Sequence, residues 1–229
     1  MDHLVAAERF IAERFPSAST AIVAGSTARG DRTTSSDIDL LLLGEDLFDG
    51  RATSEASTHV VDGEIFEVFA YTAGGFEDWA GRGIAQHRPV IVHMLLEGVA
   101  IRRDRGLDEL RAHWARIIAA GPNLTEGESR FRRYVITDVL DDLRDSEDPL
   151  ERRVEASILF ERTAELMLLT SGRWIATGKW LPRRLRALDA IRAERLSAPL
   201  LADDLDLFAT RVDEELERAG GRVQDGFVR

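Results

Sequence analysis

Residues 24–43 read AGSTARGDRTTSSDIDLLLL. The apolar run from Thr20 to Val23 and the run that begins at Ile38 have the length and composition of buried strands. Between these runs lie a small-residue turn, Gly25-Ser26, and a polar connection that contains a second glycine, Gly30. The segment therefore predicts a strand, a tight turn that starts a short helix, a loop and a second strand.

Two acidic residues, Asp37 and Asp39, begin the second strand. Side chains two positions apart on a strand lie on the same face, so the two carboxylates are neighbours while Ile38 turns into the core. Two carboxylates held this close repel each other, and a divalent cation between them removes that cost. The spacing therefore indicates a metal site.

The Gly25-Ser26 turn has the features of an anion site. A glycine lets a ligand approach the backbone closely, and the amide and hydroxyl of Ser26 stand at the start of a helix, where anions bind well. A phosphate-binding turn that faces metal-binding carboxylates is typical of a site for a metal–nucleoside triphosphate complex.

These residues resemble the signature of the polymerase-beta-type nucleotidyltransferase superfamily. The resemblance runs without a gap from Gly25 to Leu40 and includes Gly-Ser, Arg-Gly and Ser-Asp-Ile-Asp-Leu. It implies an α+β fold, in which a nucleotidyltransferase head, a small mixed sheet flanked by helices, precedes an all-α helical bundle. It also implies ATP as the nucleotide donor and two Mg²⁺ ions as cofactors. The residues that it assigns to nucleotide binding in this segment are Gly25, Ser26, Arg29, Gly30 and Ser36.

The resemblance further implies a third acidic residue on a strand beside Asp37 and Asp39. A strand hairpin is predicted around Asp62-Gly63, and its second strand offers two carboxylates with opposite facing, Glu64 and Glu67. We choose Glu67, because it lies mid-strand, where an unpartnered carboxylate would be costly to bury. Its context, Phe-Glu-Val, is also similar to the Leu-Glu-Val of aminoglycoside adenylyltransferases. Glu64 is next to the turn and can be explained as exposed to solvent.

No strand pattern remains after residue 104. We therefore predict a catalytic domain at 1–104 and a helical bundle at 105–229. The helical patterns cover residues 107–120, 125–145, 149–171, 182–194 and 199–218.

One segment of the second half is basic against the trend of the chain. Between residues 173 and 195 basic residues outnumber acidic ones, although the net charge of the whole chain is -11. Such a concentration favours an anionic partner. In two-domain nucleotidyltransferases a lysine or arginine of the helical domain commonly reaches the triphosphate, and by resemblance Lys179 and Arg183 take that role.

The composition limits the class of substrate. With 41 acidic and 30 basic residues the chain is a poor candidate for a polymerase that reads a nucleic-acid template, because polynucleotide binders are normally basic. The sequence contains no cysteine, and no apolar run approaches the roughly 18 residues of a membrane span. No secretory signal is recognisable at the N-terminus, so a cytoplasmic location is the expectation.

These observations lead to one principal hypothesis and two alternatives. The principal one is Mg²⁺-dependent transfer of a nucleoside monophosphate, AMP from ATP, to a hydroxyl of a small-molecule acceptor such as an aminoglycoside-type compound. The first alternative is AMP transfer to a protein hydroxyl, as in toxin–antitoxin systems. The second is a non-catalytic nucleotide sensor, which would require a broken carboxylate set, whereas Asp37 and Asp39 are intact.

Overall fold

The computed structural model describes residues 3–33, 36–50 and 52–224, so that Thr34 and Ser35 of the decisive segment lie outside the described residues. The chain forms two compact units, the first ending at Ala120 and the second beginning at Gly121. Each unit has its own hydrophobic core.

The first unit is a sheet with helices on both faces. Its elements are, in chain order, α1 (His3–Arg14), β1 (Thr20–Val23), α2 (Gly25–Arg29), β2 (Ile38–Leu43), β3 (Ser54–Val61), β4 (Glu64–Tyr71), α3 (Ala73–Ala85), α4 (Val90–Glu97), β5 (Val99–Arg102) and α5 (Leu107–Ala120). The five described strands are arranged in the order β3-β4-β2-β1-β5. The sheet is mixed, because β2 and β4 are parallel while the other neighbouring pairs are antiparallel.

Strand β2 lies in the centre of this sheet and is apolar along its length because both of its faces are covered. Leu40 and Leu42 pack in the cluster that α1 closes on one side. Leu41 and Leu43 pack on the other side against side chains of α3, α4 and α5. The aspartates at the start of β2 lie beyond this apolar stretch.

The second unit is entirely helical among its described residues. It consists of α6 (Glu126–Asp145), α7 (Pro149–Thr170), α8 (Trp180–Leu188), α9 (Ala190–Leu201) and α10 (Leu205–Arg218). These helices enclose one apolar core. A capping box opens α6, where the Thr125 side chain accepts from the Glu128 amide and the Glu128 side chain accepts from the Thr125 amide. The α+β head followed by a helical region confirms the predicted fold class.

The structural division between the two units falls later than the boundary expected after residue 104. Helix α5 begins at Leu107, and both Leu107 and Trp114 are buried in the cluster beneath the sheet. The hydrophobic pattern showed that this segment is helical. It gave no information about which of the two cores the helix joins.

Three helices occupy residues 180–218, where the sequence predicted two, at 182–194 and 199–218. The Asp189 side chain accepts hydrogen bonds from the amides of Ile191 and Arg192. This cap starts a new helix at Ala190, within the segment 182–194 that the apolar pattern predicted as one helix. Pro199 lies inside α9 instead of opening a helix. Asp203 has a positive φ of 61°, and Asp204 then caps α10. Local capping by aspartate therefore overrides the apolar periodicity here.

Within the described ranges no helix has both the length and the apolar character to cross a membrane.

We predict that Leu42→Ala destabilises the first unit by about 2–5 kcal/mol, because a fully buried side chain is removed and a cavity is left. Hydrogen exchange at the β2 amides measures this loss separately from the stability of the helical unit. The control is Val60→Ala on β3, since Val60 is 71% exposed. It should cost less than about 1 kcal/mol, and equal costs for the two variants would contradict the assignment of Leu42 to the core.

Candidate active site

Three carboxylates meet on one face of the sheet. Asp39 on β2 is paired in register with Glu67 on the parallel strand β4, so their side chains are neighbours on the same face. Asp37 precedes β2 by one residue and lies two positions before Asp39. Each of the three offers one oxygen, and these oxygens all lie within 4.8 Å of one another. The structure therefore brings together the three acidic residues that the sequence singled out.

Burial and the repulsion between neighbouring carboxylates raise the pKa values of Asp39 and Glu67. Burial, with the nearby charges of Asp37 and Glu67, raises the pKa of Asp39 from 3.8 to about 6, and the Arg29 guanidinium opposes this shift. Burial and the charge of Asp37 also raise the pKa of Glu67 above its ordinary value. A bound cation would remove the repulsion that produces these shifts.

Gly25 packs directly against the cluster. Its φ is +62°, a conformation that disfavours other residues, and a Cβ atom placed on it would lie 1.7 Å from Oδ2 of Asp39. The adjacent Ala24 amide donates to the Asp39 carbonyl at 2.8 Å. The start of α2 is therefore in contact with the carboxylates, and only a glycine fits there. Ser26 follows in the first turn of α2 and is partly exposed.

The other predicted nucleotide-binding residues of this segment shape the loop. Gly30 has φ +73° and ends α2, its amide donating to the carbonyls of Ser26 and Thr27. The Ser36 hydroxyl accepts from the Thr33 amide at 2.9 Å. Arg29 lies 3.5 Å from the Asp31 carboxylate and close enough to Asp39 to lower its pKa. The contact of these three residues with a nucleotide stays a prediction.

Glu64, the alternative third carboxylate, is engaged elsewhere. Its Oε2 accepts from Nη2 of Arg32 at 2.8 Å, and His3 lies 3.7 Å from its other oxygen. Glu64 and Glu67 are three positions apart on β4 and therefore lie on opposite faces. Among the described residues Glu67, and not Glu64, stands beside the two aspartates.

Lys179 and Arg183 lie in the second unit. Lys179 is exposed and precedes α8, while the Arg183 guanidinium stacks on the Trp180 ring with its centre 4.8 Å from the ring centroid. The neighbouring Arg184 donates to the Trp174 carbonyl and so serves the fold of this unit. Binding of a triphosphate by Lys179 and Arg183 stays a prediction.

The donor set fits a hard divalent cation. Carboxylate oxygens are the ligands that Mg²⁺ and Mn²⁺ prefer, and one oxygen from each of the three residues lies within 4.8 Å of the other two. The pKa of Asp39 is raised by burial and by the neighbouring carboxylates, and a bound cation would relieve both effects. No sequence argument identified Arg32 and Thr27, which contact the backbone around Asp37. An arginine in a polar loop carries no signal of its partner.

An acidic trio beside a glycine-serine turn on a mixed sheet fits the requirements of nucleotidyl transfer. Residues 6–92 match the family model of the nucleotidyltransferase domain. This part of the chain therefore matches a nucleotidyltransferase domain, in agreement with the polymerase-beta-type motif of the sequence.

A solved structure shares the fold over most of the chain. It is a nucleotidyltransferase-like protein from Exiguobacterium sibiricum 255-15, with a TM-score of 0.52 and 15% sequence identity. The alignment covers 94% of this chain and 75% of that one. Comparison with curated protein sequences found no match.

We predict that the metal-free protein loses stability as the pH rises from about 4 to about 6. The folded chain holds the Asp39 proton up to a pKa of about 6, whereas the unfolded chain releases it near 3.8, so ionisation in this window favours unfolding. The measurement is thermal unfolding with EDTA between pH 4.5 and 8. Asp39→Asn cannot ionise, so it should unfold at a higher temperature than the wild type at pH 8, and the gap should close near pH 4.5. A gap that does not change with pH would contradict the raised pKa.

We further predict that Gly25→Ala weakens Mn²⁺ binding at least about tenfold, because its Cβ would displace the Asp39 carboxylate. Isothermal titration with Mn²⁺ measures the affinity. Gly63→Ala is the matched control, since Gly63 also has a positive φ, +82°, but no atom within 4 Å of an added Cβ. Both variants carry backbone strain, so only the clash with Asp39 distinguishes them. Equal affinities for the two variants would contradict a displacement of Asp39 by the added Cβ.

Proposed function

We propose that this protein is a Mg²⁺-dependent nucleotidyltransferase that moves AMP from ATP to a hydroxyl of a small-molecule acceptor and releases pyrophosphate. The observation that carries the proposal is the cluster of Asp37, Asp39 and Glu67, whose oxygens lie within 4.8 Å of one another beside the Gly25 turn. The nucleotidyltransferase domain at residues 6–92 supports the class of reaction.

In the proposed reaction the acceptor oxygen attacks the α-phosphorus of ATP. A new phosphorus–oxygen bond forms, the bond between the α-phosphorus and its bridging oxygen breaks, and pyrophosphate leaves with that oxygen. Asp37, Asp39 and Glu67 would hold a pair of Mg²⁺ ions. Bound Mg²⁺ would favour ionisation of the hydroxyl and neutralise the charge that develops on the leaving group. Glu67 can alternatively accept the hydroxyl proton, which then passes to water.

The remaining residues would bind and orient the triphosphate. The Ser26 amide and hydroxyl would bind its terminal phosphates, and the glycine before them leaves room for close approach. Arg29 would add positive charge on the same side, and Gly30 and Ser36 would keep the loop in shape. Lys179 and Arg183 of the helical unit would complete the neutralisation of the triphosphate. Catalysis of this kind depends mainly on positioning and electrostatics.

The acidic balance of the chain supports the type of acceptor. A net charge of -11 favours a cationic or neutral small molecule, such as an aminoglycoside-type compound, over a polynucleotide.

We predict that Asp37→Asn lowers turnover by at least about a hundredfold, or about 2.7 kcal/mol, because it removes a charged ligand of the metal. The assay uses Mg²⁺ and α-labelled ATP with a panel of hydroxylated acceptors, and follows both pyrophosphate and label. Asp62→Asn is the control, because Asp62 is an exposed carboxylate in the β3–β4 turn. A loss smaller than about tenfold for Asp37→Asn, roughly 1.4 kcal/mol, would refute its role in binding metal.

The same assay separates the proposed acceptor from the alternatives. Label on a small molecule supports the proposal, whereas label that appears only on protein identifies a protein AMP-transferase. ATP binding without pyrophosphate release across the whole panel would favour a nucleotide sensor.

A further inference from the structure

Asp37 is the one member of the acidic cluster that the sheet does not hold. Asp39 and Glu67 are paired with each other in the ladder between β2 and β4. Asp37 precedes β2 and follows a polar loop. A metal ligand must be fixed to within a fraction of an ångström, so the position of Asp37 requires contacts other than the ladder.

Arg32 supplies such contacts from within the loop. Its Nη2 donates to the Ser36 carbonyl at 2.7 Å and to Oε2 of Glu64 at 2.8 Å. Its Nη1 donates to the Thr27 hydroxyl at 3.3 Å. Only 17% of the Arg32 side chain is exposed, although it arises from a polar loop. One guanidinium thus joins α2, the loop and the first residue of β4.

The acceptors of these bonds surround the backbone of Asp37. The Ser36 carbonyl belongs to the peptide group immediately before Asp37, and it accepts directly from Arg32. The Asp37 carbonyl belongs to the peptide group immediately after it, and it lies 3.5 Å from the Thr27 hydroxyl, which in turn accepts from Arg32. Both peptide groups that determine the direction of the Asp37 side chain are therefore connected to Arg32.

We propose that Arg32 is a positioning residue for the metal centre, which holds the backbone of Asp37 and is itself anchored by Glu64. This inference rests on the proposed function, in which Asp37 binds a divalent cation. Glu64 pairs with Arg32 through a charge-assisted hydrogen bond, and both side chains are mostly buried, at 17% and 22% exposure. The arrangement also links the phosphate-binding turn to the carboxylates, because Thr27 directly follows Ser26 in α2.

The guanidinium is the group suited to this task. It is planar and presents several donors at fixed angles, so it can serve three acceptors at once. A lysine at position 32 offers a single ammonium group and cannot reproduce the fork. Arg32→Lys should therefore retain part of the positioning of Asp37, and Arg32→Gln should retain less.

The test is the affinity of the full chain for Mn²⁺ alone, measured by isothermal titration. Loss of a residue that orients a metal ligand typically weakens metal binding about 10–100-fold. We expect the loss of Mn²⁺ affinity in Arg32→Gln to fall in that range. The affinity of Arg32→Lys should lie between those of Arg32→Gln and the wild type. Arg9→Gln is the matched control. Arg9 also pairs with a carboxylate of the β3–β4 hairpin, Asp62, and has no hydrogen bond or ion pair with the described residues of the loop that precedes β2. It should bind Mn²⁺ like the wild type.

Thermal unfolding in EDTA separates positioning from stability. A role in stability alone would lower the unfolding temperature of Arg32→Gln and leave the Mn²⁺ affinity of the folded protein unchanged, and this result would overturn the proposal. Glu64→Gln provides a second route if Arg32→Gln does not fold, since loss of the anchor should weaken Mn²⁺ binding in the same direction. An unchanged affinity in Glu64→Gln and Arg32→Lys would likewise overturn it.

The outcome for the wild type distinguishes this inference from the proposed function. A wild-type protein that does not bind Mn²⁺ would refute the metal centre, and with it both statements. Wild-type binding together with unaltered binding by the Arg32 variants would refute only the role of Arg32.

Discussion

The arrangement of the first unit depends on the parallel pairing of β2 with β4. This pairing sets Asp39 opposite Glu67 and so forces two carboxylates into contact beside a third. Burial, together with the repulsion from Asp37 and Glu67, raises the pKa of Asp39 to about 6. The apolar side chains that follow on both strands are buried and provide the stability that such a cluster requires. The carboxylate cluster thus lowers the free energy of unfolding locally, and the packing of apolar side chains in the sheet offsets this loss.

The same pairing explains why the turn before the cluster is so restricted. The Ala24 amide is bonded to the Asp39 carbonyl, so the next residue, Gly25, must pass beside the Asp39 side chain. With a Cβ only 1.7 Å from a carboxylate oxygen, no residue other than glycine fits without displacement. The Gly25-Ser26 turn and the three carboxylates are therefore packed together, and a change in one displaces the other.

Much of this site could be predicted from the sequence because its determinants are local. The spacing of Asp37 and Asp39 fixes their common face, and the hairpin signal at Asp62-Gly63 fixes the phase of β4, so that Glu67 and Glu64 necessarily face opposite ways. The bonds of Arg32 could not be predicted, because they join residues that become neighbours only when the loop and β4 are in place.

The helices were predicted less accurately for a related reason. An apolar periodicity shows that a segment is helical and which face it buries, but it carries little information about interruptions. Asp189 stops one helix and caps the next, and the pattern of leucines on either side continues across it. Pro199 was interpreted as a helix start, although it lies within α9. Capping residues decide such boundaries. The sequence alone does not show whether a given aspartate or proline starts a helix, ends one or lies inside one.

Helix α5 has a practical consequence for anyone who wishes to study the catalytic half alone. Trp114 lies edge-on against Phe76 at a centroid distance of 6.0 Å, and Arg111 donates to the carbonyls of Leu95 and Gly98. A fragment that ends at residue 104 would lack α5, and the apolar residues that α5 covers on one face of the sheet would be exposed and prone to aggregation. A fragment designed to contain the first unit alone should therefore extend through Ala120.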